Sequence, residues 1–419
     1  MSYSVQNIRN VALLGHGGNG KTSLVESMLY LTGALDRQGR TADGNTVCDY
    51  DAEEIKRQIT ISTAVAPVEY NGCKINVLDT PGNYDFSGDV QEALRVAELG
   101  IIVCDAKSGL SVGTERAWKY LNEHKLPRFI YISKMDEDNG DFNGAFATLR
   151  EHFGRTIAPL VIPIWDDAKH VTGIVDILNK RAYTLVDGQR QEIPVPEDKV
   201  AVVEEQYEAL MESVAETSEE FMDRYFEGDT FSVTEVSAAL ATNVQEAAIV
   251  PVCMGSPINL RGVSNLLDDI CGYFPSPDKR SCNGIAVKTN EIFEANYDFA
   301  KTKSAYVWKT IADPFLGKYS LIKVCSGVIK SDDTLLNVEK GEEERLNKLY
   351  VLEGSKPIEV PELHAGDIGA IAKLNSVQTG DSLATKATPI MYPKAQISTP
   401  YTCKRFKAVK KGDEDKISQ

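Results

Sequence analysis

Short apolar runs alternate with amphipathic segments from Arg9 to about Phe153. The apolar runs are NVALLG, KINVLD, IIVCDA and RFIYIS, and the segments with helical spacing are KTSLVESMLYLTG, VQEALRVAELG and TERAWKYLNEHK. Continuous apolar strands separated by helices predict a parallel sheet that is covered on both faces. Asn71-Gly72, between STAVAPVEY and CKINVLD, is a two-residue hairpin signal, so we expect one antiparallel strand at the edge of this sheet.

The pattern changes between about residues 155 and 247. Two short strand-like runs, VTGIVDI and AYTLVDG, precede a helical stretch whose apolar positions share one face: Val203, Tyr207, Leu210 and Val214. Strand–helix alternation then resumes with IVPVCM and LRGVSNLLDDICGYF. This order predicts a subdomain inserted into the first domain, and not an independent domain between two others.

A domain boundary is expected at Pro275-Ser276-Pro277-Asp278, because this string cannot continue a helix. From about Ser304 the β-rich runs SGVIKSDDTLLN, AGDIGAI and TGDSLA, separated by turn clusters, predict a small all-β barrel. We therefore expect residues 1–283 to form the first domain, with the insertion at about 155–247, and residues 284–395 to form the barrel. Residues 396–419 hold too little apolar material for a core, and we interpret them as the start of a third domain that is cut off.

Composition is that of an ordinary globular protein. The 419 residues, 42% hydrophobic and 25% charged, are enough for two or three domains with sizeable cores. No apolar run approaches the length that spans a bilayer, and the N-terminal MSYSVQNIRN does not resemble a signal peptide, so we expect no membrane association. Eight cysteines without a CxxC pair and five dispersed histidines argue against a zinc site and for reduced thiols in the cytoplasm.

The net charge of −16 argues against simple electrostatic binding to free DNA or to anionic lipid. The acids are concentrated, since residues 197–229 hold twelve acidic and two basic side chains. A solvated helix face explains this concentration without a partner, and a protein-binding surface is the alternative.

A glycine-rich string that matches GxxxxGK[ST] follows the first predicted strand and opens the first predicted helix. Its residues are Gly15, His16, Gly17, Gly18, Asn19, Gly20, Lys21 and Thr22. Such glycines let successive backbone N–H groups point at phosphate oxygens, and the helix N-terminus adds a favourable dipole. We expect Lys21 to reach the β- and γ-phosphates and the Thr22 hydroxyl to ligate Mg²⁺. The predicted fold class is therefore an α/β P-loop domain with a mostly parallel sheet and an inserted α+β subdomain, followed by a β-barrel.

Two further segments carry groups suited to the same phosphates. Asp79, in Asp79-Thr80-Pro81-Gly82, ends the strand KINVLD, where its carboxylate can hold Mg²⁺ through water and the Gly82 N–H can approach a γ-phosphate. Thr60, in RQITI, can complete the Mg²⁺ shell only when a γ-phosphate is present, which makes it a switch. The structural alternatives are an ordinary strand-to-turn junction and a strand threonine.

The segment Ser133-Lys134-Met135-Asp136 follows the strand RFIYIS and predicts a base-recognition site. The Asp136 carboxylate can accept hydrogen bonds from the N1–H and the exocyclic amino group of guanine, and adenine presents neither donor. Lys134 can lay its aliphatic stem on the base plane. Gly255-Ser256-Pro257, after IVPVCM, can offer a backbone donor to guanine O6, although by itself this tripeptide decides nothing.

Together, GHGGNGKT, RQITI, DTPG, SKMD and GSP occur in the order and spacing of the five guanine-nucleotide motifs of translational GTPases. Three further features resemble the elongation factor G family: the run DFSGDVQEALRVAELGIIVCDAKSG after DTPG, the long insertion, and the barrel runs ADPFLGKYSL and SGVIKSDDTL. The resemblance extends from about Ile8 to about Pro400.

This resemblance implies a G domain with an inserted subdomain and a translation-factor barrel, in a chain that stops where the family's third domain begins. It implies GTP or GDP and Mg²⁺ as ligands, and GTP hydrolysis that the ribosome stimulates. It also implies a cytoplasmic monomer, and it places the acidic insertion near the ribosomal stalk protein.

Some positions depart from the family's pattern. Asn83 follows DTPG where the family has a histidine that helps to position the attacking water. Asn83 can still hydrogen-bond a water, but it is shorter and uncharged. The other departures are Gly17 for a bulkier apolar residue that would fence the γ-phosphate with Ile59, Gly18 for a P-loop aspartate, Ser133 for an asparagine that ties the base loop to the P-loop, and Gln58 for a switch glycine.

These departures indicate a divergent paralogue that retains nucleotide binding and hydrolyses GTP more slowly. The residues expected at the reaction are Lys21, Thr60, Gly82 and Asn83. The leading hypothesis is a ribosome-associated GTPase that drives or resets a translocation-like step. The alternatives are a nucleotide-gated ribosome-binding protein with little hydrolysis and a ribosomal protection factor of the tetracycline-resistance type. A metabolic P-loop kinase fits less well, because a kinase does not need a guanine-reading SKMD.

Overall fold

The computed structural model describes residues 3–166, 170–186, 188–216, 218–313, 317–397 and 402–410. Seven described strands form its main sheet: β1 (Ile8–Leu14), β2 (Ala64–Tyr70), β3 (Cys73–Asp79), β4 (Leu99–Asp105), β5 (Arg128–Ser133), β6 (Ile157–Pro159) and β11 (Val250–Met254). Their order across the sheet is β2-β3-β1-β4-β5-β11-β6. Each pairing is parallel except that of β2 with β3, so the predicted antiparallel edge strand is confirmed.

The turn between β2 and β3 has the conformation that its sequence favours. Asn71 and Gly72 have positive φ angles of 45° and 76°. Two successive residues with positive φ form a type I′ turn, whose twist matches that of the flanking strands, and asparagine and glycine adopt this conformation at low cost.

The described helices of this domain outside the insertion are α1 (Lys21–Leu31), α2 (Ala52–Arg57), α3 (Ser87–Val96), α4 (Val112–Glu123), α5 (Phe142–Phe153) and α9 (Val263–Tyr273). Strands β1, β3 and β5 are buried at every position, as expected for strands covered on both faces. Helix α9 ends before Pro275, where the proline-rich string was expected to stop it. The α/β fold with a mostly parallel sheet is therefore as predicted.

The predicted insertion folds into a second sheet and three helices. Strands β7 (Val161–Trp165), β8 (Val171–Asp176), β9 (Arg181–Val186) and β10 (Gln189–Ile193) form an antiparallel sheet, and the helices are α6 (Glu197–Ala215), α7 (Glu219–Glu227) and α8 (Val233–Gln245). Val203, Leu210 and Val214 are buried on α6, as the helical spacing indicates. One detail differs from the expected boundary, because β6 lies within residues 155–247 and pairs with β11 in the main sheet. An apolar strand there supplies hydrogen-bond partners for the backbone of β11.

After a 3₁₀ turn at Pro277–Lys279, the described chain up to residue 397 forms strands and turns without an α-helix. We call residues 283–397 the β domain. Its strands are β12 (Asn283–Ala286), β13 (Glu291–Glu294), β14 (Ser304–Asp313), β15 (Gly317–Ser326), β16 (Val328–Lys330), β17 (Thr334–Asn337), β18 (Glu342–Arg345), β19 (Leu349–Glu353), β20 (Lys356–Val360), β21 (Glu362–His364), β22 (Ile368–Ala372), β23 (Ser382–Ala384) and β24 (Ile390–Met391).

Eight of these strands form one antiparallel sheet in the order β18-β17-β23-β14-β15-β22-β19-β20, and β13-β12-β24 and β16-β21 form smaller antiparallel sheets. Trp308, Ile322 and Leu383 are wholly buried in the core of this domain. Part of the run ADPFLGKYSL, at residues 314–316, lies outside the described residues. So do residues 398–401 and 411–419 of the expected third domain, and residues 402–410 carry no helix or strand.

The β domain and the first domain meet across buried ion pairs. Lys74 on β3 pairs with Asp367 at 2.6 Å, with 8% and 11% of the two side chains exposed. Lys323 on β15 pairs with Glu98, and these side chains are 3% and 2% exposed. Asn10 and Asn76 join the two pairs. Asn10 Nδ2 donates to Glu98 Oε2 over 2.7 Å, and Asn76 Nδ2 donates to Asn10 Oδ1 over 2.8 Å and to Asp367 Oδ1 over 3.0 Å. Separating the domains would expose or unpair these charges, so the network fixes their relative orientation.

The described helices include none that is both long and apolar enough to cross a membrane.

Candidate functional site

The glycine-rich string connects the buried strand β1 to helix α1, at the carboxyl edge of the main sheet, where ligands bind in parallel α/β folds. Gly15 has a φ of 137°, and a Cβ there would collide with the carbonyl oxygen of Val103 on β4. The Asn19 side chain donates to the same Val103 oxygen over 2.9 Å. Gly18 and Gly20 also have positive φ angles, of 82° and 91°. The loop is therefore fixed against β4 in a shape that requires glycine.

Lys21, the first residue of α1, is buried within this loop. Its Nζ donates to the carbonyls of Gly15 and His16 over 3.1 and 3.0 Å. Burial lowers the pKa of Lys21, and the neighbouring carboxylates of Asp79 and Asp49 oppose that shift. The ammonium group therefore lies on the floor of the loop, beside two acids.

Oxygen atoms from three segments meet beside Lys21. Thr22 Oγ1 donates to Asp79 Oδ2 over 2.7 Å and lies 3.2 Å from Thr60 Oγ1. Burial, and then the charge of Asp49, raises the pKa of Asp79 above its usual range. Burial likewise raises the pKa of Asp49 to about 6, although the Thr60 hydroxyl acts in the opposite direction. Two carboxylates thus share a buried site with two hydroxyls and one lysine.

This donor set fits the Mg²⁺ ion that the sequence motifs imply. The Oδ1 atoms of Asp79 and Asp49 are buried, and neither has a hydrogen-bond partner within the described residues. Carboxylate and hydroxyl oxygens are the ligands that Mg²⁺ prefers, and nucleotide-bound Mg²⁺ uses one or two protein carboxylates together with phosphate oxygens. No group of three or more His, Cys, Asp or Glu side chains in the described part of the chain could hold a metal by itself.

The Thr60 segment is held in place by a buried acid on α2. Glu54 is 2% exposed, and its Oε1 accepts hydrogen bonds from the backbone N–H groups of Ile61 and Ser62, each over 3.0 Å. Gln58 ends α2 with a φ of 54°, a left-handed conformation that favours glycine. This turn directs the chain from α2 to Thr60.

The segment after β3 lies directly against the glycine-rich loop. A Cβ on Gly82 would lie 2.5 Å from the backbone nitrogen of Gly17 and 2.7 Å from Lys21 Nζ, so only glycine fits. A Cβ on Gly17 would lie 2.8 Å from Asn83 Oδ1. The Asn83 side chain therefore lies in the space that a Cβ at position 17 would need.

The segments SKMD and GSP lie side by side at the other end of the cleft. The N–H of Met135 donates to the carbonyl of Gly255 over 3.2 Å, and the N–H of Gly255 donates to Ile132 over 2.9 Å. Lys134 has a φ of 63°, and its Nζ lies 3.1 Å from an oxygen of Asp105 on β4. These contacts set the base-recognition segments onto the ends of β4, β5 and β11.

Ser133 and Ser256 support the two loops in different ways. The Ser133 hydroxyl is buried 3.0 Å from the position of a Cβ on Gly20, and it has no hydrogen-bond partner among the described residues. The Ser256 hydroxyl accepts from the N–H of Asn259 over 3.2 Å, and the Ser256 N–H donates to the carbonyl of Arg261 over 2.9 Å. The contact between Ser133 and Gly20 is thus one of packing.

These segments surround one cleft with a volume of about 220 Å³. The predicted site residues that line it are Gly17, Gly18, Gly20, Lys21, Thr22, Thr60, Gly82, Asn83, Ser133, Lys134, Asp136 and Pro257. The other predicted site residues are not among those that line it: Gly15, His16, Asn19, Asp79, Gly255 and Ser256. Gln58 and Ile59, which the sequence analysis named in the switch, also line it. Residues that the sequence did not single out line it as well: Ser23, Thr41, Asp49, Glu137 and Ile258.

Comparison with known proteins identifies the family. A family model described as "Elongation factor Tu GTP binding domain" matches residues 6–276, and one described as "Elongation factor G domain 2" matches residues 302–386. The chain belongs to the translational GTPases of the elongation factor G type. A crystal structure of a protein from Thermus thermophilus is similar to it, with a TM-score of 0.84 and 32% sequence identity over 94% of this chain. This chain spans 57% of the length of that protein.

Family membership makes this translational GTPase a guanine-nucleotide-binding protein. The residue that sequence reasoning missed in its cleft is Asp49. Asp49 lies in the charged run DYDAEEIK, and nothing in the sequence distinguishes it from Asp51, which caps α2. Only the fold brings Asp49, from the segment before α2, to Thr22, Thr60 and Asp79.

Proposed function

We propose that this translational GTPase binds GTP and GDP with Mg²⁺ in the cleft, and that it hydrolyses GTP on the ribosome to drive or reset a conformational step. The observation that supports this proposal is the convergence of the five sequence motifs on one cleft. Groups suited to phosphate lie at one end of the cleft, and Asp136 with Pro257 lies at the other.

In this proposal, the backbone N–H groups of the loop from Gly15 to Thr22 bind phosphate oxygens, and Lys21 neutralises charge on the β- and γ-phosphates. Asp136 accepts hydrogen bonds from guanine N1–H and the exocyclic amino group, and the stem of Lys134 covers the base. A backbone N–H of the Gly255–Pro257 segment donates to guanine O6.

Thr22 and Thr60 hold the metal directly in this proposal, and Asp79 holds it through water, with Asp49 as a further nearby carboxylate. Mg²⁺ would supply positive charge that stabilises the phosphates as negative charge develops on the leaving group. Thr60 binds there only while the γ-phosphate is present, so its segment is free to move after hydrolysis.

The Gly82 N–H and the Asn83 side chain face the reacting γ-phosphate in this proposal. The Asn83 amide can accept a hydrogen bond from the attacking water and orient it. It is uncharged and a poor base, so positioning is the only contribution that it makes.

A second candidate function is a nucleotide-gated ribosome-binding protein with little hydrolysis. The contact between Asn83 Oδ1 and Gly17 favours it, because a side chain packed on the loop is less available to orient water. A ribosomal protection factor of the tetracycline-resistance type is compatible with the same cleft.

We further propose that residues 1–283 and 284–395 form the two domains, and that the chain is a divergent paralogue that works as a cytoplasmic monomer. The acidic surface of α6 and α7, which carries most of the acids between residues 197 and 229, is the proposed contact for the ribosomal stalk protein.

The deciding experiment measures phosphate release from GTP under multiple turnover, with and without ribosomes. We expect ribosomes to raise the rate of phosphate release at least about tenfold, because activators raise the hydrolysis rate of other P-loop GTPases. Tight GTP binding without stimulated release would favour the gated binder. Absence of guanine-nucleotide binding would contradict both functions.

A further inference from the structure

The β domain contacts residues 47–63 of the first domain at two places. We call these residues the switch segment, because they include both Asp49 and Thr60. The β domain touches this segment at its beginning, near Asp49, and at its end, just after Thr60. The two contacts come from different strands of the β domain, so they are independent observations.

The contact at the end of the switch segment is made by Lys309 on β14. Its Nζ donates to Ser62 Oγ over 2.6 Å and to the Thr63 carbonyl over 3.1 Å, and it forms an ion pair with Asp89. The Lys309 side chain is only 7% exposed. Ser62 lies two residues after Thr60, so the lysine acts very close to the candidate metal ligand.

Asp89 extends this contact to the segment that follows Gly82 and Asn83. It lies on α3, and its Oδ1 accepts hydrogen bonds from the Thr63 N–H over 2.9 Å and from Ser62 Oγ over 3.3 Å. Lys309 and Asp89 therefore join three parts of the molecule: the β domain, the switch segment and α3.

The contact at the beginning of the switch segment is made by the turn between β19 and β20. Gly354 in this turn donates its N–H to the carbonyl of Val65 over 2.9 Å, and a Cβ on Gly354 would collide with the carbonyl of Val47. On its other side, Val47 donates its N–H to the buried Glu26 of helix α1. Val47 is thus packed between the P-loop helix and the β domain.

We propose that Lys309 is a positioning residue through which the β domain stabilises the GTP-bound arrangement of the switch segment. The inference rests on the proposed function. In the arrangement described here, Thr60 Oγ1 lies 3.2 Å from Thr22 Oγ1, so Thr60 is at the site where it would meet a metal. Lys309 contacts the segment in this same arrangement.

Any group that stabilises one arrangement of a switch raises the affinity for the ligand that needs that arrangement. GTP needs Thr60 at the metal and GDP does not. Lys309 should therefore contribute to GTP affinity and not to GDP affinity. By reciprocity, GTP should strengthen the contact of the β domain with the switch segment.

The test compares Lys309→Met with Lys323→Met. Both lysines lie in the β domain, are buried and form ion pairs with acids of the first domain. Lys323 contacts Glu98 and the Val96 carbonyl, away from the switch segment. Affinities for a non-hydrolysable GTP analogue and for GDP are measured with each variant and with the unsubstituted chain.

We expect Lys309→Met to weaken binding of the GTP analogue about tenfold, because charged hydrogen bonds are lost, and to change GDP binding by less than about twofold. Lys323→Met should leave the ratio of the two affinities unchanged even where it lowers stability. Lys309→Arg, which retains the charge, should restore part of the preference for the GTP analogue over GDP. Gly354→Ala should weaken the same preference, because Gly354 contacts the beginning of the switch segment.

An unchanged ratio in Lys309→Met, or an equal change in Lys309→Met and Lys323→Met, would overturn the inference. If Lys309→Met does not fold, the ratio measured with Asp89→Asn decides, since an unchanged ratio in that variant would also overturn the inference. Failure of the unsubstituted chain to bind either nucleotide would instead contradict the proposed function, and the inference with it.

Discussion

The cleft and the domain interface both bury carboxylates, but they balance the charge differently. At the interface, Asp367 and Glu98 each have a lysine from the opposite domain. In the cleft, Asp49 and Asp79 share Lys21, and their Oδ1 atoms have no partner among the described residues. A buried charge that is paired within the chain stabilises a fixed arrangement, whereas excess buried charge is suited to a ligand of opposite sign.

The largest effect is expected at the domain interface, where removing one partner of a buried ion pair should lower the stability of the fold. Asp367→Ala would leave the Lys74 ammonium buried without its acid, so we expect the free energy of unfolding to fall by about 3–5 kcal/mol. Guanine-nucleotide affinity should change by less than about twofold, because the pair is remote from the cleft. Denaturant unfolding and nucleotide titration measure the two quantities.

The matched control for Asp367→Ala is Glu359→Ala. Glu359 pairs with Lys348 at 2.7 Å, but 55% and 58% of these side chains are exposed. We expect its loss to lower the free energy of unfolding far less than the loss of Asp367, because water screens an exposed pair. Equal costs for the buried and the exposed pair would contradict the stabilising role assigned to the interface.

The second-largest effect is expected in the cleft, on the affinity for the nucleotide. Asp136→Asn replaces an acceptor by an amide that presents a donor to guanine, so GTP affinity should fall at least about 100-fold while affinity for xanthosine triphosphate rises. The free energy of unfolding should be almost unchanged. Asp367→Ala should do the reverse, because it lowers stability and leaves nucleotide affinity nearly the same. Competition binding with the two nucleotides provides the measurement.

Asp138→Asn is the control for this substitution, because Asp138 is exposed in the same turn and does not line the cleft. Unaltered nucleotide preference in Asp136→Asn, or the same change in both variants, would refute the assignment of Asp136 to the base.

The smallest effect concerns Glu92 on α3, where the interface meets the switch segment. Burial, and then the charge of Asp89, raises the pKa of Glu92 to about 7, and Lys309 opposes this shift. Because the folded-state pKa is raised, the stability that Glu92 contributes is present below its unfolded pKa and is lost as the pH rises through about 7.

We therefore expect the melting temperature of the unsubstituted chain to fall relative to that of Glu92→Gln between pH 5.5 and pH 8.5, by about 1–2 °C. The effect is small because the side chain is partly exposed and water screens its charge. If the melting temperatures of the two proteins change in parallel with pH, the pKa of Glu92 is not raised by folding.

Local patterns were enough to predict much of the fold and most of the candidate site. The alternation of apolar and amphipathic segments predicted the mostly parallel sheet, and Asn71-Gly72 predicted its antiparallel edge. Motif spacing predicted which loops meet, because parallel strands end at the same edge of a sheet. Asp49 was missed because an acid in a charged run has no local signature of its role.

The sequence by itself determined the elements and the glycine-rich loop, since strand, helix and turn preferences act over a few residues. The tertiary structure alone decided which distant charges meet. The pairing of Lys74 with Asp367 and of Lys309 with Asp89, and the contact of Asn83 with Gly17, join residues far apart in the chain. Such contacts depend on how whole domains pack, and the energy of a buried charge depends on the partner that packing brings to it.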